Sequence, residues 1–462
     1  MKILLALIVT LMTYTSVAAQ DADTLTLFRY RVSLRDKANS KFSLAKPEQY
    51  LSRKAIERRK RQGISIDSTD LPVNEAYVKG VKKCGVKVLN RSKWNNTLLV
   101  SANDSTTIDA VRKLDYVTGV RLVGTRYATT PMRENRTVWT DTEKEVPESE
   151  YGKGLSQIKQ LNGIEVHKRG YRGKGMTIAV IDGGFQNVDI IPAFKNLKIA
   201  GTHDFVSPEN RIYHAHKHGM QVLSCMATNI KNVFIGTAPE ATFWLLRSEE
   251  TIGEQMAEED NWAAAVEFAD SVGVDVINSS LGYTAFDDTT TGVMYHELNG
   301  RTHLVSRSAS MLASKGIVLC NSAGNEGNDT WKKIGVPADA SDILAVGAVE
   351  YNGKNANFSS LGNTADGRIK PDVCAMGRMA CVMDIKGHTT RANGTSFASP
   401  ILAGMVACLW QALPDLTAYE IIDLVRGSGN NTAHPDNVFG FGIPDFTKAL
   451  DAGKKIEAER GK

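Results

Sequence analysis

The sequence predicts an α/β protein: a doubly wound parallel sheet, preceded by a small α+β domain. From Tyr151 onward, apolar runs of strand length alternate with segments of helix length. Those runs are continuous rather than alternating, as strands covered on both faces require. Before residue 125 the texture differs, with short alternating strands and charged helices, and a polar stretch separates the two regions. At 462 residues the chain is long enough for two such units.

Composition is that of a globular protein, 42% hydrophobic and 23% charged. A net charge of +4 gives no electrostatic case for nucleic acid as a partner. Basic residues do gather in Arg53, Lys54, Arg58, Arg59, Lys60 and Arg61, and these read as a solvated helix face. Residues 1–19 read as a secretory signal peptide. Lys2 gives the positive start, Ile3 to Met12 is apolar, and Val17-Ala18-Ala19 supplies small residues for cleavage before Gln20. The apolar run is too short to span a membrane, and no other stretch is a candidate. The expectation is a secreted protein, periplasmic or extracellular. Six cysteines make no dense disulfide framework. Cys225, Cys320 and Cys408 sit in apolar runs as buried thiols would; Cys374 and Cys381 are close enough in sequence to bridge in an oxidising compartment.

The first unit spans residues 20–124. Leu25 to Leu34 alternates as a strand, and Pro47 to Arg61 reads as a charged helix. A short helix is expected over Asn74 to Lys83, and two strand pieces flank Ser92-Lys93-Trp94-Asn95. Ser105 to Leu114 reads as helix and Val117 to Val123 as strand. Nothing in this unit assembles catalytic groups. Residues 125–150 are polar and charged with two prolines, an exposed linker. The second unit, 151–462, carries strand or helix runs at Met176–Ile181, Gly219–Ala227, Thr242–Leu246, Asn261–Ala269, Val274–Ile277, Ile317–Leu319, Ile343–Val346 and Phe397–Leu413.

Four chemical groups fall at strand ends or helix starts of this unit. Asp182 ends the apolar run Thr177–Ile181 and precedes two glycines. His218 opens an apolar helix. Asn325 follows the run Gly316–Cys320 in the segment Asn-Ser-Ala-Gly-Asn-Glu-Gly. Ser396 lies in Asn-Gly-Thr-Ser-Phe-Ala-Ser-Pro, a turn feeding a buried helix. There, free N–H groups and the positive end of the helix dipole can face a developing oxyanion. Each has a plainer reading: a turn cap for Asp182, a structural histidine, a left-handed turn asparagine, a capping serine. His214, His216 and His218 also alternate in a way that fits a metal cluster, but no partner motif follows downstream. Together, carboxylate, imidazole, amide and hydroxyl give the groups of a nucleophilic triad in the order Asp, His, Ser.

On the blocks IAVIDGGF, HGMQVLSCMA, VINSSLG, NSAGNEG and NGTSFASP, residues 151 to about 450 resemble the subtilisin-like serine peptidases, the subtilases. The resemblance implies a subtilisin-like sheet, a triad of Asp182, His218 and Ser396, and Asn325 as oxyanion donor. It implies that Ser280-Leu281-Gly282 pairs with substrate main chain and that Ser322-Ala323-Gly324 walls the primary specificity pocket. It makes protein or peptide the substrate. Residues 25 to about 124 are similar to the inhibitory propeptide of many subtilases, so this unit would act as an intramolecular inhibitor. Three departures stand out. Gly183 replaces the family's Thr or Ser after the aspartate, and Gln221 replaces its second histidine. The loop Asn229–Gly236 carries Lys231 and no carboxylate. No cofactor is expected; structural calcium is possible but finds no support in the sequence. A secreted binding domain that has lost activity is the competing class, and the complete set of four groups argues against it.

Overall fold

The computed structural model describes residues 26–127 and 149–461. The stretch read as a signal peptide, and all but the ends of the polar stretch read as a linker, lie outside the described residues.

The N-terminal unit runs β1 (Thr26–Leu34), α1 (Arg53–Arg61), α2 (Glu75–Lys83), β2 (Lys87–Ser92), β3 (Thr97–Ala102), α3 (Ser105–Arg112) and β4 (Val117–Tyr127). The expected charged helix is broken: Pro47–Gln49 is a single 3₁₀ turn, and α1 restarts behind the cap Ser52. The sheet order is β2-β3-β1-β4, all antiparallel. Strand period two divides β1. Tyr30, Val32 and Leu34 pack on the unit's own helices, while Arg29 and Arg31 face the second unit.

The second unit begins with short helices α4 (Leu155–Lys159) and α5 (Gly163–Lys168). It continues through β5 (Thr177–Asp182), β6 (Lys198–Asp204), α6 (His218–Ala227), the hairpin β7 (Asn229–Ile230) and β8 (Phe234–Ile235), β9 (Thr242–Arg247) and α7 (Ala257–Val272). Next come β10 (Val276–Ser279), α8 (Leu304–Met311), β11 (Val318–Ser322), β12 (Leu344–Val349) and β13 (Val373–Met376). The hairpin β14 (Ala380–Met383) and β15 (Thr389–Ala392) precedes α9 (Thr395–Ala412), α10 (Ala418–Gly427) and α11 (Phe446–Arg460). Seven strands form one parallel sheet in the order β13-β12-β11-β10-β5-β9-β6. From β5 the chain goes to the edge strand β6, returns to β9 and then crosses to β10 on the other side of β5, from where it winds outward to β13, so the switch point lies between β5 and β10. Open α/β sheets bind ligands at the carboxyl ends of the strands there. One apolar core sits between the sheet and α6 and α9; the other lies against α7 and α8. The helix α9 is long and apolar enough to cross a bilayer, but 94% of it is buried inside the fold, so it is the core helix.

Two expectations fail. The basic run of α1 is solvated only in part: Arg53, Lys60 and Arg61 are exposed, but the other side of the helix is sealed. Arg58 and Arg59 are almost fully buried, against the C-terminal end of α7. Arg58 donates to Asp270 Oδ1 at 2.6 Å and to the Val274 carbonyl at 2.6 Å. Arg59 reaches Asp270 and Asp70, and Lys93 reaches Asp270 at 3.0 Å. Burial alone would raise the Asp270 carboxyl, but Lys93, Arg58 and Arg59 outweigh it and hold it well below the usual range. The α7 C-cap, Gly273, has φ +84°, and a Cβ there would strike the backbone of Ala55, so α1 requires glycine at that point. Cys374 and Cys381 are both unbridged. They lie on strands of different sheets; the Cys374 thiol faces the carbonyls of Val438 and Phe439, while Cys381 packs beside α6 through Cys225.

Asp270→Ala takes the counter-charge from buried Arg58 and half-buried Lys93 and leaves buried Arg59 with Asp70 alone. It is expected to destabilise the full chain by about 3–5 kcal/mol, read as a lower denaturant midpoint. Arg53→Ala, at the exposed start of the same helix, should leave the midpoint where it is.

Candidate active site

The sheet delivers its chemistry at the switch point. Strand β5, buried along its length, ends on Asp182, whose side chain is 1% exposed. A buried carboxylate needs donors, and two are present. The Gly183 N–H donates to Oδ1 at 2.7 Å, so a backbone amide stands beside the missing hydroxyl. His218, first residue of α6, turns Nδ1–H onto the carboxylate, 2.9 Å from Oδ1 and 3.0 Å from Oδ2. That bond fixes the tautomer and leaves Nε2 as the basic nitrogen. Burial pulls the imidazole down, but the Asp182 charge and hydrogen bond outweigh it, and the group sits above its ordinary value.

Ser396 sits in the first turn of α9 and is largely buried. The neighbouring Phe397 ring lies 5.9 Å from the His218 ring, so the start of α9 faces the Asp–His pair. The hydroxyl of Ser396 donates to the Ser280 carbonyl at 3.4 Å; among the described residues no hydrogen bond joins it to His218. The helix start is tied to β10 by a contact that the sequence did not disclose. Pro400 has no N–H, so the Ser396 carbonyl, four residues back, lacks its intrahelical donor. The Ser280 hydroxyl donates to that carbonyl at 2.8 Å. Beside it, the Ser399 hydroxyl donates to Asn278 Oδ1, and Asn278 Nδ2 donates to the Ser280 hydroxyl. Proline here does not fill a spare helix-start position. It releases the acceptor that locks Ser396 onto the exit of β10.

Asn325 follows β11 with its side chain exposed. Its Oδ1 accepts from the Thr395 N–H at 2.9 Å and from the Thr395 hydroxyl at 3.0 Å. The oxygen end of the amide is thereby fixed, and Nδ2 is the donor left to act. Thr395 went unremarked in the sequence; its place immediately before Ser396 is the only signal it gave. Leu281 and Gly282 continue from β10 as an open edge, with the Leu281 carbonyl accepting from Asn321. Ser322 and Ala323 end β11 in the core, and Gly324 follows with φ +113° against Ser360, where no Cβ fits. All ten residues singled out thus fall at the ends of β5, β10 and β11 and the starts of α6 and α9.

The histidine cluster does not form. Among the described residues, the group whose ligand atoms converge is Glu249, Glu254 and Glu258, with oxygens within 4.8 Å. The β7–β8 hairpin holds Lys231 and no carboxylate, so its residues do not fit a calcium ion.

Comparison with known proteins agrees with this fold. The model of the Subtilase family matches residues 173–442. The model of the Peptidase S8 propeptide domain, Bacteroidota, matches residues 29–139. The chain is 30% identical over 277 residues to Subtilisin DY of Bacillus licheniformis, covering 59% of this chain and 90% of that protein. It is 30% identical over 280 residues to Subtilisin E of Bacillus subtilis, covering 60% and 65%. The solved structure of the MycP3 protease from the type VII (ESX-3) secretion system aligns with a TM-score of 0.53 at 23% identity, covering 69% of this chain and 93% of that one, a likeness of fold.

The Asp182–His218 pair has a measurable signature. His218 is expected to titrate above the ordinary imidazole value of about 6.5 in an NMR pH series. In Asp182→Asn, burial acts alone and the value should fall below it.

Proposed function

The chain belongs to the subtilase family and is a serine endopeptidase with a propeptide domain, and from that premise we propose that it is a secreted enzyme whose reacting groups are Asp182, His218, Ser396 and Asn325. The observation that carries the assignment is the Asp182–His218 pair facing the start of α9, with the Asn325 amide oriented by Thr395. Ser396 Oγ attacks the peptide carbonyl as His218 Nε2 takes its proton, and His218 then gives that proton to the leaving amine. Asp182 fixes the imidazole and stabilises the imidazolium. Asn325 Nδ2 and the Ser396 N–H receive the oxyanion. Water repeats the sequence to release the acid. For this, the Ser396 hydroxyl leaves the Ser280 carbonyl and turns to His218.

The substrate lies extended along Ser280-Leu281-Gly282, bonding through its main chain, with Ser322-Ala323-Gly324 beside its first side chain. The N-terminal domain inhibits the enzyme until it is removed by a cut within 125–150. Its last strand supports this: the Thr125 N–H donates to Gln255 at the start of α7, directing the chain toward the cleft rim. Secretion rests on the character of residues 1–19.

Ser396→Ala should abolish peptide hydrolysis and labelling by a fluorophosphonate. Asn325→Ala should lower kcat by about 10²–10³ with little change in KM, the size found for such a donor in subtilisin. Near-normal turnover by Ser396→Ala would end the assignment. Because the base must be neutral, kcat/KM should rise with pH through a value above about 6.5.

The inhibitor assignment has its own check. A 20–124 fragment added to the processed enzyme should inhibit it. A secreted chain that keeps Gln20 as its N-terminus and is fully active would refute it.

A further inference from the structure

The mechanism uses one carboxylate, yet the cleft beside it holds four more. A cavity of about 500 Å³ opens beside Asp182 and His218. Leu281 bounds it on one side, and Glu249, Glu250, Glu254 and Asp287 on the other. Among the described residues lining it there is no lysine or arginine. The acidic wall is built, not incidental. The Glu254 N–H donates to Asp287 Oδ2, and the Asp287 N–H donates back to the Glu254 carbonyl at 2.8 Å. Tyr283 donates to Glu249 at 2.6 Å. Burial, and then the crowding of neighbouring carboxylates, pushes Glu249 up to about 8 and Glu254 up to about 7.

One carboxylate of this wall, Glu250, already holds a guanidinium that reaches it from outside the cavity, and it comes from the propeptide domain. Arg29, on β1, donates from Nη1 to Glu250 Oε1 at 2.6 Å. Its Nη2 donates to Glu250 Oε2 at 3.3 Å, to Gln255 Oε1 at 2.5 Å and to the Thr125 carbonyl at 3.5 Å. The residue is 3% exposed, and its Nε has no hydrogen-bond partner among the described residues. Removing the propeptide domain removes Arg29 and leaves the acidic wall in the cleft.

We propose that Glu250, Glu254 and Asp287 select a lysine or arginine side chain of the substrate, on the acyl side of the scissile bond, and that Arg29, from outside the cavity, engages Glu250 while the propeptide domain is docked. The acyl side follows from Leu281, which belongs to the edge that pairs with the substrate. The residues walling the first pocket, 322–324, do not line this cavity. The selected side chain is therefore the second to fourth from the scissile bond. This assignment rests on the peptidase reading of Asp182, His218 and Ser396.

The test uses the full chain after processing, with active enzyme counted by fluorophosphonate labelling. Fluorogenic tetrapeptides carry one fixed neutral residue next to the scissile bond and lysine, arginine, norleucine or alanine at each of the next three positions. A charge-assisted hydrogen bond to a partly buried carboxylate is worth roughly ten- to a hundredfold. At one position, kcat/KM should be at least about tenfold higher for lysine or arginine than for norleucine. Glu250→Gln, Glu254→Gln and Asp287→Asn together should erase most of that ratio while phosphonate labelling persists. Equal rates for lysine and norleucine in the unaltered enzyme overturn the proposal, as does a basic preference that survives the triple variant. If phosphonate labels Ser396 but the preference is missing, only the selectivity assignment falls. If neither labelling nor hydrolysis of any peptide occurs, the peptidase reading falls with it.

Discussion

Asp182 is a charged group at the buried end of a buried strand, and the site is arranged around satisfying it. Desolvating a carboxylate costs several kcal/mol unless donors replace the lost water. The Gly183 amide and the His218 Nδ1–H are those donors. Because His218 is the first residue of α6, holding its ring also sets the start of that helix. Because α6 packs on α9, the start of α9 is placed in turn. The same pair that satisfies a buried charge thereby orients an imidazole toward the serine helix.

Strand β10 supplies the second restraint. It is the strand next to β5 at the switch point, and its exit carries both the edge proposed to pair with substrate and the bond to the Ser396 carbonyl. Pro400 makes that bond necessary, since it leaves a buried carbonyl unpaired. A helix-breaking residue thus serves as a register mark between the serine helix and the strand. Thr395 does the same between the helix and Asn325.

The propeptide domain is held by charge at both ends of α7. At the start of the helix, Arg31 pairs with Asp260 and Glu259; at its end, Arg58, Arg59 and Lys93 surround Asp270. Apolar residues Trp94, Leu99 and Val123 join the core of the second unit between them. Buried ion pairs add little against a hydrophobic alternative, but a mismatched one is costly, which favours one docked geometry. On α7 the cations come from the propeptide domain and the carboxylates from the second unit; beside its end the polarity reverses once, where Lys315 pairs with Asp67 and Asp70. That domain therefore covers an acidic surface along α7 and the cleft rim.

The sequence by itself determined the two textures, the parallel sheet, and Asp182, His218, Asn325 and Ser396 at strand ends and helix starts. These are local facts: continuous apolar runs mark buried strands, and short polar motifs interrupt them at their ends. The edge strand β6, half exposed and only partly apolar, gave no such run. Tertiary structure alone decided whether a charged residue was solvated. Arg53 and Arg58 lie on the same helix in the same basic run, yet one is open to water and the other is sealed against Asp270, 212 residues away. The alternation of β1 identified two faces but not that Arg29 and Arg31 would be covered. Nor did the sequence place Ser280 against the carbonyl freed by Pro400. Charge burial and long-range hydrogen bonds depend on partners that folding brings together, and local pattern does not encode them.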